Sequence, residues 1–240
     1  MKETLPTIYY SGTNSSELEP ERQLISSVSH ELRTPLAIIS SNVQLLRKFN
    51  YQLDENIVKE TFLLCEEAIE SIGSFIDDVH FLNVSYKGEL EVNITQVDLE
   101  DLFIDFAEKM SLSEFNRNRI KLETNFNHHS FNTDKELLEK ILLNVIDNAL
   151  KFSSETVNLR AFTTDTKLVV EVEDHGIGIP EDELAWILEP FKRSRNAKMI
   201  TGCGLGMAIV KKCIDVLHGE IEISSELDEG SSVKIKILNQ

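Results

Sequence analysis

The 240-residue sequence has few residues that cross-link or interrupt a chain: three cysteines, five prolines and ten glycines. Cys65, Cys203 and Cys213 form no Cys-x-x-Cys pair and leave one cysteine over, which fits reduced thiols better than a secreted disulfide framework. No apolar run approaches the roughly 18 residues of a membrane-spanning helix, and the N-terminus lacks the pattern of a signal peptide. We therefore expect a cytoplasmic protein, or the cytoplasmic part of a longer membrane-bound one.

The sequence is also poor in positive charge. It contains 24 Lys and Arg residues against 41 Asp and Glu residues, and its formal net charge is -17 at pH 7. Non-specific binding to nucleic acids depends on clustered Lys and Arg, so we expect no nucleic-acid partner. An anionic ligand would need a local site, with a metal ion to mask part of its charge.

Apolar residues make up 41% of the sequence and follow two successive patterns. Residues 1–19 hold turn-forming residues with little periodicity, which predicts a flexible leader. Residues 20–86 carry two heptad-like runs joined by FNYQLDEN, which predict an antiparallel pair of helices. Because a lone hairpin would expose half of each apolar stripe, we expect two copies to form a dimeric four-helix bundle. The runs are Ile25, Val28, Leu32, Pro35, Ile39, Asn42 and Leu46, then Val58, Phe62, Cys65, Ile69, Ile72, Ile76 and Val79.

The hydrophobic period changes at about residue 87. The segments ELEVNITQV, IKLETNF, TVNLRAFTT and KLVVEVED alternate like strands, and helical segments lie among them. A final pair of strands, EIEISSELDEGSSVKIKIL, has a turn in its middle. Strands mixed with helices and ending in an antiparallel hairpin predict an α+β sandwich rather than a doubly wound parallel sheet. We therefore expect a second domain over residues 87–240.

The segment SHELRTPL places polar, potentially reactive side chains on the first predicted helix. His30 falls on the heptad face farthest from the core, with Glu31 and Thr34 on the adjoining flanks. Pro35 removes one backbone hydrogen bond and is expected to kink the helix. Exposed histidines are common, so this segment alone is equally compatible with a plain surface residue and with a reactive imidazole.

A second polar group lies on KILLNVIDNALKFS, where Asn144, Asn148 and Lys151 follow one line down a predicted helix. Asparagine is a middling helix former, so two of them one turn apart need a reason. Their carbonyl oxygens suit a hard cation such as Mg2+, which proteins hold with few ligands of their own plus substrate phosphates. A lysine one turn further would meet those phosphates as a point charge. The alternative is the solvated face of an ordinary amphipathic helix.

The segment EVEDHGIGIP places a carboxylate beside glycines. An alternating strand ends at Asp174, and Gly176 and Gly178 follow it. Glycine allows a tight turn and a close approach to a flat ligand, and a carboxylate there can accept a hydrogen bond from an exocyclic amine such as that of adenine. An ordinary Asp-Gly turn would give the same pattern.

The segment TGCGLGMAIVKK places Gly202, Gly204 and Gly206 directly before a helix. Such a turn offers free N–H groups and the positive end of the helix dipole to phosphate. It is neither a Walker loop nor a dinucleotide fingerprint, because GxxxxGK[ST] is absent and no strand precedes it. The basic segment before it, FKRSRNAKMI, would suit either a lid over phosphates or a surface loop without a ligand.

Five motifs thus follow one another along the chain: SHELRTPL, NVIDNALKF, DHGIGIP, EPF and GCGLGMAIVKK. In this order and spacing they closely resemble the H, N, G1, F and G2 boxes of bacterial two-component sensor histidine kinases, over about residues 20 to 238. The resemblance implies a dimerisation and histidine-phosphotransfer domain at residues 20–86. It also implies an α/β sandwich ATP-binding domain of the gyrase and histidine-kinase type at residues 87–240.

The same resemblance assigns roles to the hairpin residues. His30 would be the phosphoacceptor, and neutral imidazole is a competent nucleophile at cytosolic pH. Glu31 would serve as its acid/base partner, since a hydrogen bond to one ring nitrogen fixes the tautomer that presents the other. Thr34 would orient water when the hairpin dephosphorylates its partner. That partner would be the receiver domain of a response regulator, a separate protein whose aspartate takes the phosphoryl group.

In the second domain the resemblance implies an ATP site with magnesium. Asn144 and Asn148 would bind Mg2+, Lys151 would join them in holding Mg-ATP, and Asp174 would bind the adenine amine. The other matched residues expected at ATP are Gly176, Gly178, Ile179, Phe191, Arg193, Thr201, Gly202, Gly204, Leu205 and Gly206.

Three interpretations are compatible with these motifs, and an active histidine kinase is the strongest. A phosphatase-biased or catalytically silent relative is the second. A gyrase-type ATPase is the third; it would share Asn148 and Asp174 but would not need SHELRTPL on a dimer-forming hairpin. The sequence departs from the family at Ser194, where an aromatic residue usually follows the arginine. It does not indicate the signal, so we expect sensory input, and any membrane attachment, to come from a partner or from segments outside this sequence.

Overall fold

A computed structural model describes residues 5–11, 20–49, 53–111, 118–197, 200 and 202–240, and only the backbone of residues 20–27 and 30. The chain divides into two compact units. One contains Glu17–Glu89, and the other contains Leu90–Gln240 together with Met1–Ser16. The division therefore falls three residues after the boundary predicted from the sequence.

The first unit is a helical hairpin of α1, Pro20–Phe49, and α2, Glu55–Tyr86. Proline suits the first turn of a helix, where its missing N–H would have no partner. Asp54 caps α2, because its carboxylate accepts a hydrogen bond from the N–H of Asn56 at 2.9 Å. Helix α1 continues through Pro35. Within the described residues, none of the helices combines the length and apolar character needed to cross a membrane.

The face of α2 that is buried within the hairpin differs from the predicted stripe. Phe62, Ile69 and Ile76 of that stripe are 54%, 58% and 53% exposed in the single chain, and the sequence led us to expect that a lone hairpin would leave half of each stripe uncovered. The heptad repeat is present, but its buried members lie mostly one position earlier. They are Thr61, Cys65, Ala68, Phe75 and Leu82. The hairpin therefore keeps an apolar stripe on its surface.

The second unit is built around a mixed sheet, as the predicted α+β class requires. The order of its strands in the described residues is β1-β7-β8-β6-β5-β3, and β2 pairs with β4 in a small separate sheet. Strands β3 and β5 are parallel, while the other neighbours are antiparallel. The strands are β1 Thr7–Ser11, β2 Thr95–Asp98, β3 Ile120–Asn125, β4 Ser130–Thr133, β5 Val157–Thr163, β6 Lys167–Asp174, β7 Glu220–Glu226 and β8 Gly230–Leu238.

Helices cover the sheet and bury its apolar residues. They are α3 Leu99–Ser111, α4 Lys135–Phe152, the short α5 Glu181–Leu184, and α6 Gly206–Val216. Helix α4 packs against α6 and against strands β5 and β6. Its buried face follows the 3.6-residue period expected of an amphipathic helix. That face consists of Leu137, Leu138, Ile141, Leu142, Val145, Ile146, Ala149 and Leu150.

The prediction of a flexible leader is wrong for residues 7–11. These residues form β1, which pairs with β7 from Thr7 opposite Ser224 to Ser11 opposite Glu220. The strand forms because alternate residues meet partners on the domain. The hydroxyl of Tyr10 donates to Asp215 Oδ1 at 2.5 Å. Residues 1–4 and 12–19 of the predicted leader lie outside the described residues.

Candidate functional site

The N-terminus of α4 is anchored by a buried carboxylate. Asp134 is 5% exposed, and its two oxygens accept hydrogen bonds from the N–H of Leu137 at 3.0 Å and the N–H of Asn93 at 2.7 Å. The first bond satisfies one of the free N–H groups at the helix start. Asp134 was missed as a contributor to the site, although an Asp directly before an apolar-periodic segment is a helix-start signal.

Asn144 and Asn148 bring α4 against the start of α6. Asn144 Nδ2 donates to the carbonyl of Lys140 at 2.8 Å, which leaves its Oδ1 as the atom that faces α6. A Cβ atom at Gly206 would lie only 2.8 Å from Asn144 Oδ1 and 3.6 Å from Asn148 Nδ2. A larger residue at position 206 would therefore have to displace the Asn144 amide, whereas glycine leaves an amide oxygen, a ligand type that Mg2+ accepts, at the glycine-rich turn.

Lys151 meets the same turn one helical turn further along α4. Its Nζ would be 3.1 Å from a Cβ atom at Gly202. The side chain is 30% exposed, and the carboxylate oxygen Asp147 Oδ2 lies 4.0 Å from its Nζ. At that distance the pair is weak, so the ammonium group remains available to an anion that enters the turn.

The loop after β6 folds back on the end of α4. Asp174 Oδ1 accepts a hydrogen bond from the N–H of Gly176 at 2.9 Å, and the N–H of Ile177 donates to the carbonyl of Phe152 at 3.2 Å. A Cβ atom at Gly176 would lie 2.3 Å from that carbonyl oxygen. Burial raises the pKa of Asp174, and backbone hydrogen bonds from Gly176 and Ser231 partly offset this effect. The carboxyl group is thus held in a sheltered position at the end of the strand.

The second half of this loop is fixed against the β7–β8 turn. Gly178 has φ +61°, and a Cβ atom there would lie 1.9 Å from the carbonyl oxygen of Glu226. The N–H of Ile179 donates to Ser225 Oγ at 2.8 Å. Both Gly178 and Ile179 were predicted at the ligand site, and the structure gives each a clear role in holding the loop.

Phe191 and Gly204 join the segment before the glycine-rich turn to the turn itself. The N–H of Phe191 donates to the carbonyl of Gly204 at 2.9 Å, and their φ angles are +61° and +71°. A Cβ atom at Gly204 would meet the carbonyl oxygen of Lys192 at 2.7 Å. Leu205 is fully buried beneath the turn, where it supports the backbone.

The basic segment is held by its own polar contacts. The guanidinium of Arg193 donates to the carbonyls of Ala197, at 2.8 Å, and Ile200. Arg193 was predicted to contact ATP, whereas the structure shows it bonded to the backbone of its own segment. That contribution of Arg193 could not be read from the sequence, because contacts to backbone carbonyls leave no residue pattern.

Ser194 and Asn196 connect this segment to α5 and to the loop after β6. The hydroxyl of Ser194 donates to the carboxylate of Glu183, which is only 6% exposed. Asn196 Nδ2 donates to the carbonyls of Ile177 and Gly178 at 3.1 and 2.9 Å. These polar contacts involve Ser194, which stands where the family usually has an aromatic residue after the arginine, and neither Glu183 nor Asn196 was singled out from the sequence.

The remaining predicted residues lie elsewhere or outside the described set. Glu31 is half-buried and Thr34 is exposed on α1, in the other compact unit. The backbone of His30 lies in α1, while its side chain lies outside the described residues, as does Thr201. The structure therefore places the described predicted residues of the second domain on α4, on the loop after β6, and on the glycine-rich turn and the segment before it. It does not test the three residues of the hairpin.

The assembled groups fit a magnesium–nucleotide complex. Glycine backbone, an amide oxygen and an ammonium group converge at the start of α6, and a sheltered carboxyl group lies at the loop after β6. The described residues contain no group of three or more His, Cys, Asp or Glu that could hold a metal ion. A magnesium ion here would therefore depend on Asn144, Asn148 and the phosphates of its ligand.

Two protein-family models match the chain. The His Kinase A (phospho-acceptor) domain matches residues 21–83, which lie on the helical hairpin. The Histidine kinase-, DNA gyrase B-, and HSP90-like ATPase matches residues 133–240, which include α4, the loop after β6 and the glycine-rich turn.

Individual proteins show the same similarity. The sensor histidine kinase YkoH of Bacillus subtilis is 30% identical over 233 residues, which cover 92% of this chain and 48% of YkoH. The chain thus spans about half the length of the curated relatives it matches. The Acinetobacter baumannii histidine kinase AdeS has a similar fold, with a TM-score of 0.68 at 23% identity over 88% of this chain and 98% of that one. The full-length ShkA structure in complex with AMPPNP gives 0.62 at 28% identity, over 91% of this chain and 46% of that one.

Proposed function

Because the chain belongs to the two-component sensor histidine kinases and carries their catalytic core, we propose that it transfers the γ-phosphoryl group of ATP to His30. The observation that supports this most strongly is the convergence at the start of α6. There Gly206 admits the Asn144 oxygen, and Gly202 approaches the Lys151 ammonium. The similarity to ShkA, which was solved with the ATP analogue AMPPNP, supports ATP as the nucleotide.

Each group at the proposed site has a distinct task. Asn144 and Asn148 would bind magnesium, which neutralises charge on the phosphates when bound. Lys151 would pair with a phosphate oxygen, and the N–H groups at the start of α6 would stabilise negative charge there. Asp174 would accept a hydrogen bond from the adenine amine. Phosphoryl transfer needs mainly positioning and charge neutralisation, which this set supplies.

His30 would be the nucleophile in the transfer step. One imidazole nitrogen forms a bond to the γ-phosphorus while the bond from that phosphorus to the β–γ bridging oxygen breaks, and ADP leaves. Glu31 would accept the proton of the other ring nitrogen in a hydrogen bond, which favours the required tautomer. The phosphoryl group on His30 would then be available to a second acceptor, and Thr34 would orient the water that hydrolyses the phosphorylated acceptor.

The second acceptor would be an aspartate on the receiver domain of a response regulator. This partner is supported by the family, which pairs a phosphoacceptor hairpin with an ATP-binding domain. We place the reaction in the cytoplasm, where ATP is available and where the chain's free cysteines, Cys65, Cys203 and Cys213, would stay reduced.

The hairpin would act as a homodimer. Its surface carries large apolar side chains that the single chain leaves exposed. They are Leu36 and Val43 on α1, and Phe62, Ile69 and Ile76 on α2. A contiguous apolar stripe at heptad spacing is typical of a helix-packing face, and a second copy of the hairpin would cover it as a four-helix bundle.

Incubation with γ-labelled Mg-ATP tests the proposed function. We expect covalent labelling that is lost in acid and retained in alkali, as for a phosphoryl group on nitrogen. The variant Asn148→Ala should abolish the labelling, since it removes a proposed magnesium ligand. Absence of labelling in the unaltered chain, or an acid-stable label, would contradict the proposal.

A further inference from the structure

Strand β1, which precedes the helix that carries His30, pairs with β7 at the edge of the sheet in the second domain. We propose that the β7 edge and the outer face of α6 form a docking surface for this segment, residues 6–11, and that its docking is energetically coupled to nucleotide binding. The coupling rests on the proposed nucleotide site, whereas the docking does not. In the sequence, residues 12–19 separate the docked strand from α1.

The backbone register shows which N–H groups hold the strand. The N–H of Ser225 donates to the carbonyl of Pro6 at 3.2 Å, and Thr7 lies opposite Ser224. Hydrogen-bonded and non-bonded pairs alternate along an antiparallel ladder. The N–H groups of Ile8 and Tyr10 therefore point toward β7, and that of Tyr9 points away from it.

The side chains of Tyr9 and Tyr10 also differ in their surroundings. Tyr9 is 75% exposed, whereas Tyr10 is half-buried against α6. The Tyr10 hydroxyl donates to Asp215 Oδ1 at 2.5 Å, and Lys211 Nζ lies 4.7 Å from the centre of its ring. A hydrogen bond to a carboxylate and a cation–π contact make this an aromatic anchor rather than a non-specific edge contact.

Helix α6 links this anchor to the proposed phosphate site. Lys211 and Asp215 lie on the same short helix whose first residue, Gly206, touches Asn144. An α-helix rises about 1.5 Å per residue, so the anchor begins only about 7.5 Å from the glycine-rich turn. Phosphate that binds the N–H groups of α6 and a strand that holds its outer face both restrain this helix. If docking affects nucleotide affinity, nucleotide must affect docking by the same factor.

Two proline variants of the full chain distinguish release of the strand from a non-specific effect of proline on the fold. Ile8→Pro removes an N–H that points toward β7 and should release the strand, because proline cannot donate to the ladder. Tyr9→Pro removes an N–H that points away, a position that edge strands tolerate. Hydrogen exchange of residues 220–226 measures the outcome. We expect loss of protection at Ile221, Ile223 and Ser225 in the first variant and retained protection in the second.

Affinity for an ATP analogue, measured by calorimetry on the same variants, tests the coupling. We expect Ile8→Pro to weaken binding at least about fivefold, the lower end of typical coupling between sites, and Tyr9→Pro to leave it unchanged. A chain that lacks residues 1–11 should reproduce the effect of Ile8→Pro. Equal exchange in both proline variants would overturn the docking. Unchanged nucleotide affinity in a variant whose strand is released would overturn the coupling. Absence of nucleotide binding by the unaltered chain would overturn the coupling and would also contradict the proposed function.

Discussion

Asn144 and Gly206 stand so close that a side chain on the first residue of α6 would have to displace the Asn144 amide. A Cβ atom at position 206 would lie 2.8 Å from Asn144 Oδ1, which is tighter than a normal non-bonded contact. This relationship connects the polar line of α4 to the glycine-rich turn. It explains why asparagine and glycine occur together in two motifs that are about 60 residues apart in the sequence.

Gly206→Ala is therefore expected to damage binding more than folding. The added methyl group would displace the Asn144 amide, the proposed magnesium ligand, and weaken affinity for Mg-ATP by about tenfold or more, as for loss of a hydrogen bond to a charged group. Calorimetric titration and thermal unfolding together would check this. Gly73→Ala is the matched control, because a Cβ atom there would meet nothing within 4 Å; equal affinities in the two variants would refute the role of the close contact.

Asp174→Asn should lower affinity for ATP about 10- to 150-fold, the range for loss of a hydrogen bond to a charged group. The competing nucleotide GTP, which lacks the adenine amine, should be affected much less. Asp165→Asn, in the exposed turn between β5 and β6, is the control. An unchanged preference for ATP over GTP would argue that Asp174 does not contact the base.

Asp174→Asn should not lower the free energy of unfolding at neutral pH. Burial raises the pKa of Asp174 in the folded chain, so the folded state binds this proton more tightly than the unfolded state. Its stabilising contribution is complete below the unfolded pKa and is lost as the pH rises through the folded pKa. Urea unfolding should therefore show Asp174→Asn at least as stable as the unaltered chain at pH 7, with its relative advantage shrinking in acid. A marked loss of stability at pH 7 would mean that the carboxylate is needed for folding.

Asn196→Ala should loosen the segment that precedes the glycine-rich turn. It removes two hydrogen bonds to the carbonyls of Ile177 and Gly178, each worth about 0.5–1.5 kcal/mol, and we expect about tenfold weaker nucleotide binding. Asp182→Asn, which alters an exposed ion pair with Arg195, should change affinity less than about threefold. Equal effects of the two substitutions would show that Asn196 has no special positioning role.

Ile69→Glu should convert a dimer to a monomer without unfolding the hairpin. Ile69 is 58% exposed in the single chain, so a charge there costs little until a second copy covers it. Light scattering would show the mass falling by half. Ser71→Glu, about 200° away around α2, should leave the mass unchanged. A monomeric unaltered chain would contradict the bundle.

Hydrophobic periodicity predicted α4 well, because Leu138, Leu142 and Val145 recur at helical spacing and are all buried. Strands β5 and β6 were predicted for the same kind of reason; burial alternates over the seven residues of β5, whereas β6 buries the three consecutive residues Leu168, Val169 and Val170. The heptad repeat of α2 was also predicted, but not which of its members are buried within one chain. Sequence alone cannot distinguish residues that pack within one chain from residues, such as Ile69, that a second copy would cover.

Features that depend on distant partners were not predicted. Strand β1 has only five residues, and its partner β7 lies more than 200 residues later, so no local pattern indicates the pairing. The contacts of Ser194 and Asn196 are similar, since a side chain bonded to a buried carboxylate or a backbone carbonyl has no characteristic spacing. The motif residues were found because their residue types and their spacing in the sequence indicate their chemistry, whatever they pack against.

The most direct test of the account is labelling of two histidine variants with γ-labelled Mg-ATP. The hairpin contains His30 on α1 and His80, which is exposed on α2. We expect His30→Gln to abolish acid-labile labelling while its affinity for an ATP analogue stays unchanged, and His80→Gln to label normally. Continued labelling of His30→Gln, or loss of labelling in His80→Gln, would contradict the assignment of His30 as the phosphoacceptor.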